Sequence, residues 1–175
     1  IGRLVDWKNV DFLIYCFSKY IKKSNLHIHL IIVGDGDNKY LDSLKKLTHK
    51  LEVKNIVTFA GFNSEPDRVI SAFDLMIAPS NKEPFGRTLV EAMIQKTPIL
   101  AARGGGHSEI INNEVTGRLY DHNNVDDFID KCEIFFNNSE SNYEIINKAN
   151  DTAYIKYSAH KHAENIIQIY KNLSI

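Results

Sequence analysis

Short apolar runs alternate with longer amphipathic stretches along this sequence, and that alternation restricts the fold more than any other feature. The clearest unit begins with Leu75-Met76-Ile77-Ala78-Pro79, continues through a Pro/Gly loop, and ends in Leu89-Val90-Glu91-Ala92-Met93. An unbroken apolar run of this length, bounded by turn residues, reads as a strand buried on both faces, and such strands belong to parallel sheets. The stretch after the loop has helical spacing. Strands joined through helices are βαβ units.

The same reading extends along the chain. Residues 1–4 read as the end of a first strand, 5–10 as its loop, and 11–23 as a helix closing on Lys22-Lys23, which suits the negative end of a helix dipole. A second strand over 26–33 ends in the turn Gly34-Asp35-Gly36-Asp37, before a helix over 39–51. Residues 55–61 give a third strand, 65–73 a short helix, and 75–78 a fourth strand whose helix runs to about residue 95. A fifth strand, 98–102, leads through Arg103-Gly104-Gly105-Gly106-His107 into a short helix ending at 111, and 117–120 makes a sixth. From residue 125 the pattern is helical to the end, with Phe128, Ile129, Cys132, Phe135 and Phe136 on one face and a last helix over 159–173. The expected fold is α/β, a doubly wound Rossmann-like parallel sheet of six strands with helices on both faces. The 175 residues suffice for one such domain and not for two.

A formal charge of -1, with no block of Lys or Arg, argues against a nucleic-acid partner. No apolar run reaches the roughly 18 residues of a membrane span, and residue 1 is not followed by a signal-peptide pattern, so the expected location is cytoplasmic. Cys16 and Cys132 each fall in an apolar helical pattern and read as reduced core thiols. The seven His show neither HxxxH nor CxxC-type companions, and no metal site is expected. Asp35-Gly36-Asp37 has the look of an Asp-x-Asp metal motif, but its place in a Gly turn makes it a helix cap.

Several motifs occur together in order: Gly2-Arg3-Leu4 with Lys8-Asn9, Gly34-Asp35-Gly36, Glu83-Pro84-Phe85-Gly86 with Glu91-Ala92, Gly104-Gly105 with Glu109-Ile110-Ile111, and Thr116-Gly117. Together they resemble the family 4 retaining glycosyltransferases, group 1, over nearly the whole chain. The resemblance implies that residues 1–175 form the C-terminal nucleotide-sugar-binding domain of a two-domain GT-B enzyme whose acceptor-binding domain precedes it. The opening Ile1-Gly2-Arg3-Leu4, a strand already running into a loop, fits that expectation. The implied partner is a UDP- or GDP-linked sugar, as substrate rather than cofactor, without a metal ion. Any contact at the inner membrane face would belong to the missing half.

The chemistry of such a donor sets what the residues must do. Its diphosphate gains charge as the sugar becomes oxocarbenium-like, and fixed cations and N–H dipoles lower that barrier. Arg3 and Lys8 offer a planar guanidinium and a compact ammonium from one loop. The helix expected after Gly86 offers the amides of its first turn, and a glycine there lets a ligand approach the backbone. The resemblance puts the amides of Phe85, Gly86 and Arg87 near sugar hydroxyls and those of Thr88 and Leu89 near the diphosphate. It implies that Glu91 binds the ribose and that Glu83 faces the sugar, positioning it for a same-side displacement in which the leaving phosphate helps deprotonate the acceptor. Gly2, Gly34, Gly61 and Phe62 are the remaining donor-binding candidates, with Gly61-Phe62 toward the base. His107 reads as an exposed loop residue, and Lys96 stands where relatives often have Gly.

Two other readings stay open at this point. Sugar-nucleotide epimerases and glycogen-type phosphorylases share the two-domain architecture, although the Glu-Pro-Phe-Gly loop and the lack of a pyridoxal-phosphate lysine motif speak against them. A non-catalytic nucleotide-binding or protein-interaction module is the third.

Overall fold

The computed structural model describes residues 1–80 and 82–173; Asn81, Ser174 and Ile175 lie outside the described residues. The elements are α1 (Val10–Lys23), β1 (Leu30–Val33), α2 (Asn38–Lys50), β2 (Val57–Gly61), α3 (Pro66–Ser71), β3 (Met76–Ala78) and α4 (Arg87–Ile94). After these come β4 (Ile99–Ala102), α5 (Gly105–Ile110), β5 (Arg118–Tyr120), α6 (Val125–Asn137), α7 (Ser139–Tyr157) and α8 (Ala159–Leu173).

All strand pairs are parallel, as short apolar runs joined by helices require, but the strands form two sheets. One contains β1 and β2, with Leu30 opposite Val57. The other has the order β3-β4-β5, with Met76 opposite Ile99 and Leu100 opposite Arg118. The single six-stranded sheet expected from the sequence is therefore corrected to five strands in two sheets among the described residues. Residues 1–4 are not a strand. They run past the carboxyl end of β1, where Gly2 N donates to Val33 O at 2.9 Å, Leu4 N donates to Asp35 O at 2.8 Å, and only one bridge forms, Leu4 to Gly36. The expected second strand also shortens, beginning at Leu30 rather than residue 26.

Successive strand residues point to opposite faces, and each face has its own helices. Met76, Ile99, Ala101 and Leu119 pack with α3, α4, α5 and α7 through Ile70, Leu89, Met93, Ile110 and Ala153. Leu100, Ala102 and Tyr120 pack on α1 and α6 through Leu13, Cys16, Tyr20, Phe128 and Cys132. β1 and β2 bury Ile32 and Val57 against Ile14 and Phe17 of α1 and Leu44 of α2. Helix α1 serves both because Leu13, Ile14, Cys16, Phe17 and Tyr20 give it a broad buried stripe. Each such side chain contributes about 1.5–3 kcal/mol on full burial.

Both cysteines are free and buried, and burial pushes the Cys16 thiol up to about 12. Asp37 caps α2, its carboxylate accepting from Tyr40 N at 2.9 Å. At the end of α4, Lys96 adopts φ 57°, the left-handed conformation that favours Gly, and Asn150 of α7 donates to the carbonyls of Met93 and Ile94 at 3.1 and 3.0 Å. No helix among the described residues is long and apolar enough to cross a membrane.

Candidate functional site

The loops at the carboxyl ends of β1, β3 and β4 converge, and short polar contacts hold them together. Residues Asp6–Lys8 form a 3-10 turn, and Asn9, at φ 58°, reverses the chain into α1. Ser80 Oγ donates to Trp7 O at 3.1 Å, and Asn9 Nδ2 donates to Pro79 O at 3.4 Å, so the first loop is tied to the end of β3. Across that junction the Lys8 ammonium donates to the Glu83 carboxylate in an ion pair, with both side chains mostly shielded. The same ammonium lies 4.6 Å from the centre of the Trp7 ring.

The loop that carries Glu83 is held from its other side by α5. Gly106 N donates to Glu83 O at 2.8 Å, and a Cβ on Gly106 would come 2.2 Å from Phe85 O. Only a glycine fits this approach. Gly86 caps α4 at φ 96°, with no side chain between the first turn of the helix and the ligand side. A Cβ on Gly86 would meet His107 Cδ2 at 3.3 Å. His107 is buried at 2 % exposure, which corrects the expectation of an exposed loop residue. The reason is that the Gly-rich turn is the start of α5, and its third residue faces the core. The His107 Nδ1 lies 3.0 Å from the carbonyl of Ala102, so its N–H donates to that oxygen. Burial lowers its pKa; the Ala102 carbonyl and Glu83 oppose that shift, and Lys8 adds to it.

A third loop completes the rim. A Cβ on Gly34 would lie 1.9 Å from Gly2 O, and Gly34 N donates to Gly61 O at 2.7 Å. Three glycines from separate loops thus meet at their backbones.

Of the residues singled out in the sequence, Gly2, Arg3, Lys8, Glu83 and Thr88 line one cavity of about 420 Å3, together with Ser80 and His107. Gly34 adjoins both Gly2 and Gly61 through backbone contacts. Phe85 is exposed, with its ring edge-on to Tyr157 at 6.0 Å, and Arg87 is exposed at the start of α4. Glu91, half-buried on α4, is not among the residues lining the cavity, and Phe62 stands 72 % exposed after β2. The Leu89 side chain is wholly in the core, and its amide donates to Gly86 O at 2.9 Å. Ser80, which joins the loops, gave no signal of that role in the sequence, because a Ser after a Pro is an ordinary turn residue, and Asn9 was quoted as a motif residue with no sign that it ties the loops together. No group of three or more His, Cys, Asp or Glu is gathered as metal ligands among the described residues.

The arrangement sets a guanidinium, an ammonium, a carboxylate and the positive end of α4 around one opening, the chemistry of a site for an anion joined to a hydroxylated group. The family model described as glycosyl transferases group 1 matches residues 1–152. A glycosyltransferase of Methanocaldococcus jannaschii is 32 % identical over 98 % of this chain and 43 % of its own length. A poly(ribitol-phosphate) α-N-acetylglucosaminyltransferase of Staphylococcus aureus is 30 % identical over 99 % of this chain and 34 % of its own. The crystal structure of Anabaena HepE in complex with UDP superposes with a TM-score of 0.89 at 25 % identity, over 98 % of this chain and 48 % of that one. The chain thus spans less than half the length of these relatives. With the motif-bearing loops gathered at one opening and the family match running through all of them, this chain belongs to the glycosyl transferases group 1 family.

Proposed function

We propose that this chain binds the donor of a retaining sugar transfer, a UDP- or GDP-linked hexose, and that the full-length enzyme passes the sugar to an acceptor held by another domain, without a metal ion. The observation that carries this reading is the meeting of Lys8 with Glu83 beside the first turn of α4. In this reading the ammonium serves the diphosphate and the carboxylate serves the sugar. Structures of Anabaena HepE in complex with UDP and with UDP-glucose support UDP as the first donor nucleotide to test.

In this reading Arg3 and Lys8 take up the charge that grows on the diphosphate as the glycosidic bond breaks. The α4 dipole and the amides of residues 85–88 serve the phosphate and the sugar hydroxyls. Glu83 positions the sugar rather than attacking it, and Glu91 serves the ribose. Gly2, Gly34 and Gly61 let the loops close around the nucleotide, with Phe62 toward the base. The buried free thiols suit a reducing cytoplasm. Contact with the inner membrane face is left to the other domain.

Titration calorimetry of the full-length protein with UDP, GDP and ADP in EDTA tests the reading. At least one nucleotide binds, and Lys8→Ala weakens it about 10- to 100-fold, the worth of a hydrogen bond to a charged group. Absence of binding by all three, or affinity that appears only with added Mg2+, would overturn it. NMR of the product anomer checks retention, and Glu91→Ala with unchanged transfer would favour an interaction module instead.

A further inference from the structure

Gly86 leaves an opening beside the first turn of α4, and two side chains from different loops border it. A Cβ placed on Gly86 would lie 3.3 Å from His107 Cδ2 and 3.5 Å from Glu83 Cγ, so the imidazole and the side chain of Glu83 flank the same point. Glu83 comes from the loop after β3, and His107 from the first turn of α5. The bond from Gly106 N to Glu83 O, at 2.8 Å, fixes one loop on the other.

The two nitrogens of His107 have different settings. A carbonyl can only accept, so the proton between Nδ1 and Ala102 O, 3.0 Å apart, sits on Nδ1. The charged groups that face the ring are Glu83 and Lys8; burial outweighs both and lowers its pKa from the ordinary value. Above about pH 6.5 the ring is therefore neutral and Nε2 carries a bare lone pair. Nε2 is covalently joined to Cδ2, on the ring edge turned toward Gly86. It has no hydrogen-bond partner among the described residues, yet it is not one of their sealed, unpartnered atoms, which are Tyr120 Oη and His122 Nδ1. Nε2 thus opens on the cavity that His107 lines.

The Gly86 opening is bordered by two acceptors. A carboxylate and a bare imidazole nitrogen both need a proton from whatever lies between them, and an ionised phosphate has none to give. A hydroxyl does. We infer that His107 is a specificity-determining residue whose Nε2 accepts a hydrogen bond from one hydroxyl of the transferred sugar, across the Gly86 opening from Glu83. The inference rests on the donor reading above and divides that site further, leaving the diphosphate to Arg3 and Lys8 and the sugar to a pair of acceptors on two loops.

Two substitutions separate this role from a purely structural one. His107→Asn keeps an N–H donor in place of Nδ1 and has nothing in place of Nε2, whereas His107→Gln gives up the bond to Ala102 and sets an amide oxygen in place of Nε2. Calorimetry of the full-length protein compares a bare nucleotide, UDP, GDP or ADP, with its glucose conjugate. His107→Asn should weaken the conjugate about 10- to 100-fold, the effect of leaving a buried hydrogen-bonding group unpaired, and move the bare nucleotide by less than about 2-fold. His107→Gln should return the conjugate to within about 5-fold of the native affinity. Equal weakening of nucleotide and conjugate, native affinity in His107→Asn, or no recovery in His107→Gln would overturn the assignment and leave the donor reading standing. Failure of every bare nucleotide to bind the native protein would overturn both. A measurement on the native protein needs no variant to fold: the 15N resonance of His107 Nε2 should move when the glucose conjugate is added and hold still with the bare nucleotide, and a resonance that responds alike to both would overturn the assignment.

Discussion

Gly106→Ala is the sharpest test of how the site is held. The added Cβ would sit 2.2 Å from Phe85 O and 2.6 Å from its carbonyl carbon, both backbone atoms that no rotamer change can move. Carbon–oxygen contacts essentially never fall below 3.0 Å, so the loop or α5 must retreat by at least about 0.8 Å. That retreat stretches the bond from Gly106 N to Glu83 O, now 2.8 Å, past hydrogen-bonding range. Overpacking of this kind costs about 1–3 kcal/mol and the lost bond about 1 kcal/mol, for a total of about 2–4 kcal/mol. Gly61→Ala is the internal control. Its Cβ would meet nothing closer than Asp35 Oδ1 at 3.7 Å, leaving only the strain of φ 71°, about 1 kcal/mol. Urea unfolding followed by circular dichroism compares the two. If Gly106→Ala is no less stable than Gly61→Ala, the close approach of α5 to the Glu83 loop is refuted.

Two further outcomes are expected from features already described. Burial lowers the pKa of His107, so the folded state resists a proton that the unfolded chain accepts. Stability contributed by this group is therefore complete above about pH 6.5 and falls as the pH drops below it, levelling off once the buried ring is itself protonated. Urea midpoints at pH 7.5 and 5 should differ less in His107→Gln than in the native protein, and equal pH dependence would refute the assignment. Asn150→Ala removes the side chain that bonds Met93 O and Ile94 O, with an expected loss of about 1–2 kcal/mol. A change within about 0.5 kcal/mol, typical of an uninvolved surface position, would show the bridge to be idle.

Periodicity made the helices legible. The spacing of Leu13, Ile14, Phe17 and Tyr20 gave α1, and the expected bounds of the last helix, 159–173, are those of α8. Strand cores were equally plain, because runs such as Ile99-Leu100-Ala101-Ala102 can only be buried. Strand pairing was not legible, since apolar character says that residues 1–4 and 26–29 can extend but not whether a neighbour lies beside them. The site divides in the same way. Lys8 and Glu83 could be named from motif residues, yet their ion pair joins positions 75 residues apart and depends on where two loops end. His107 was misplaced because Gly-Gly-Gly reads as a loop, whereas its last two glycines lie within α5, Gly106 where that helix crosses a neighbouring backbone.

The contact between Lys8 and Glu83 has a consequence for the order in which a ligand can engage. Each group is already the other's counter-ion, so an arriving molecule competes with a bound rival rather than meeting an idle charge. A neutral sugar offers the ammonium hydroxyl acceptors but no counter-charge in exchange. Under the donor reading proposed above, a diphosphate would compete with the carboxylate for Lys8, and in drawing the ammonium away it would free Glu83 to accept hydrogen bonds from sugar hydroxyls. On that reading the pair would work as an interlock, in which the half of the site that reads the sugar opens only after the half that reads the anion has been satisfied.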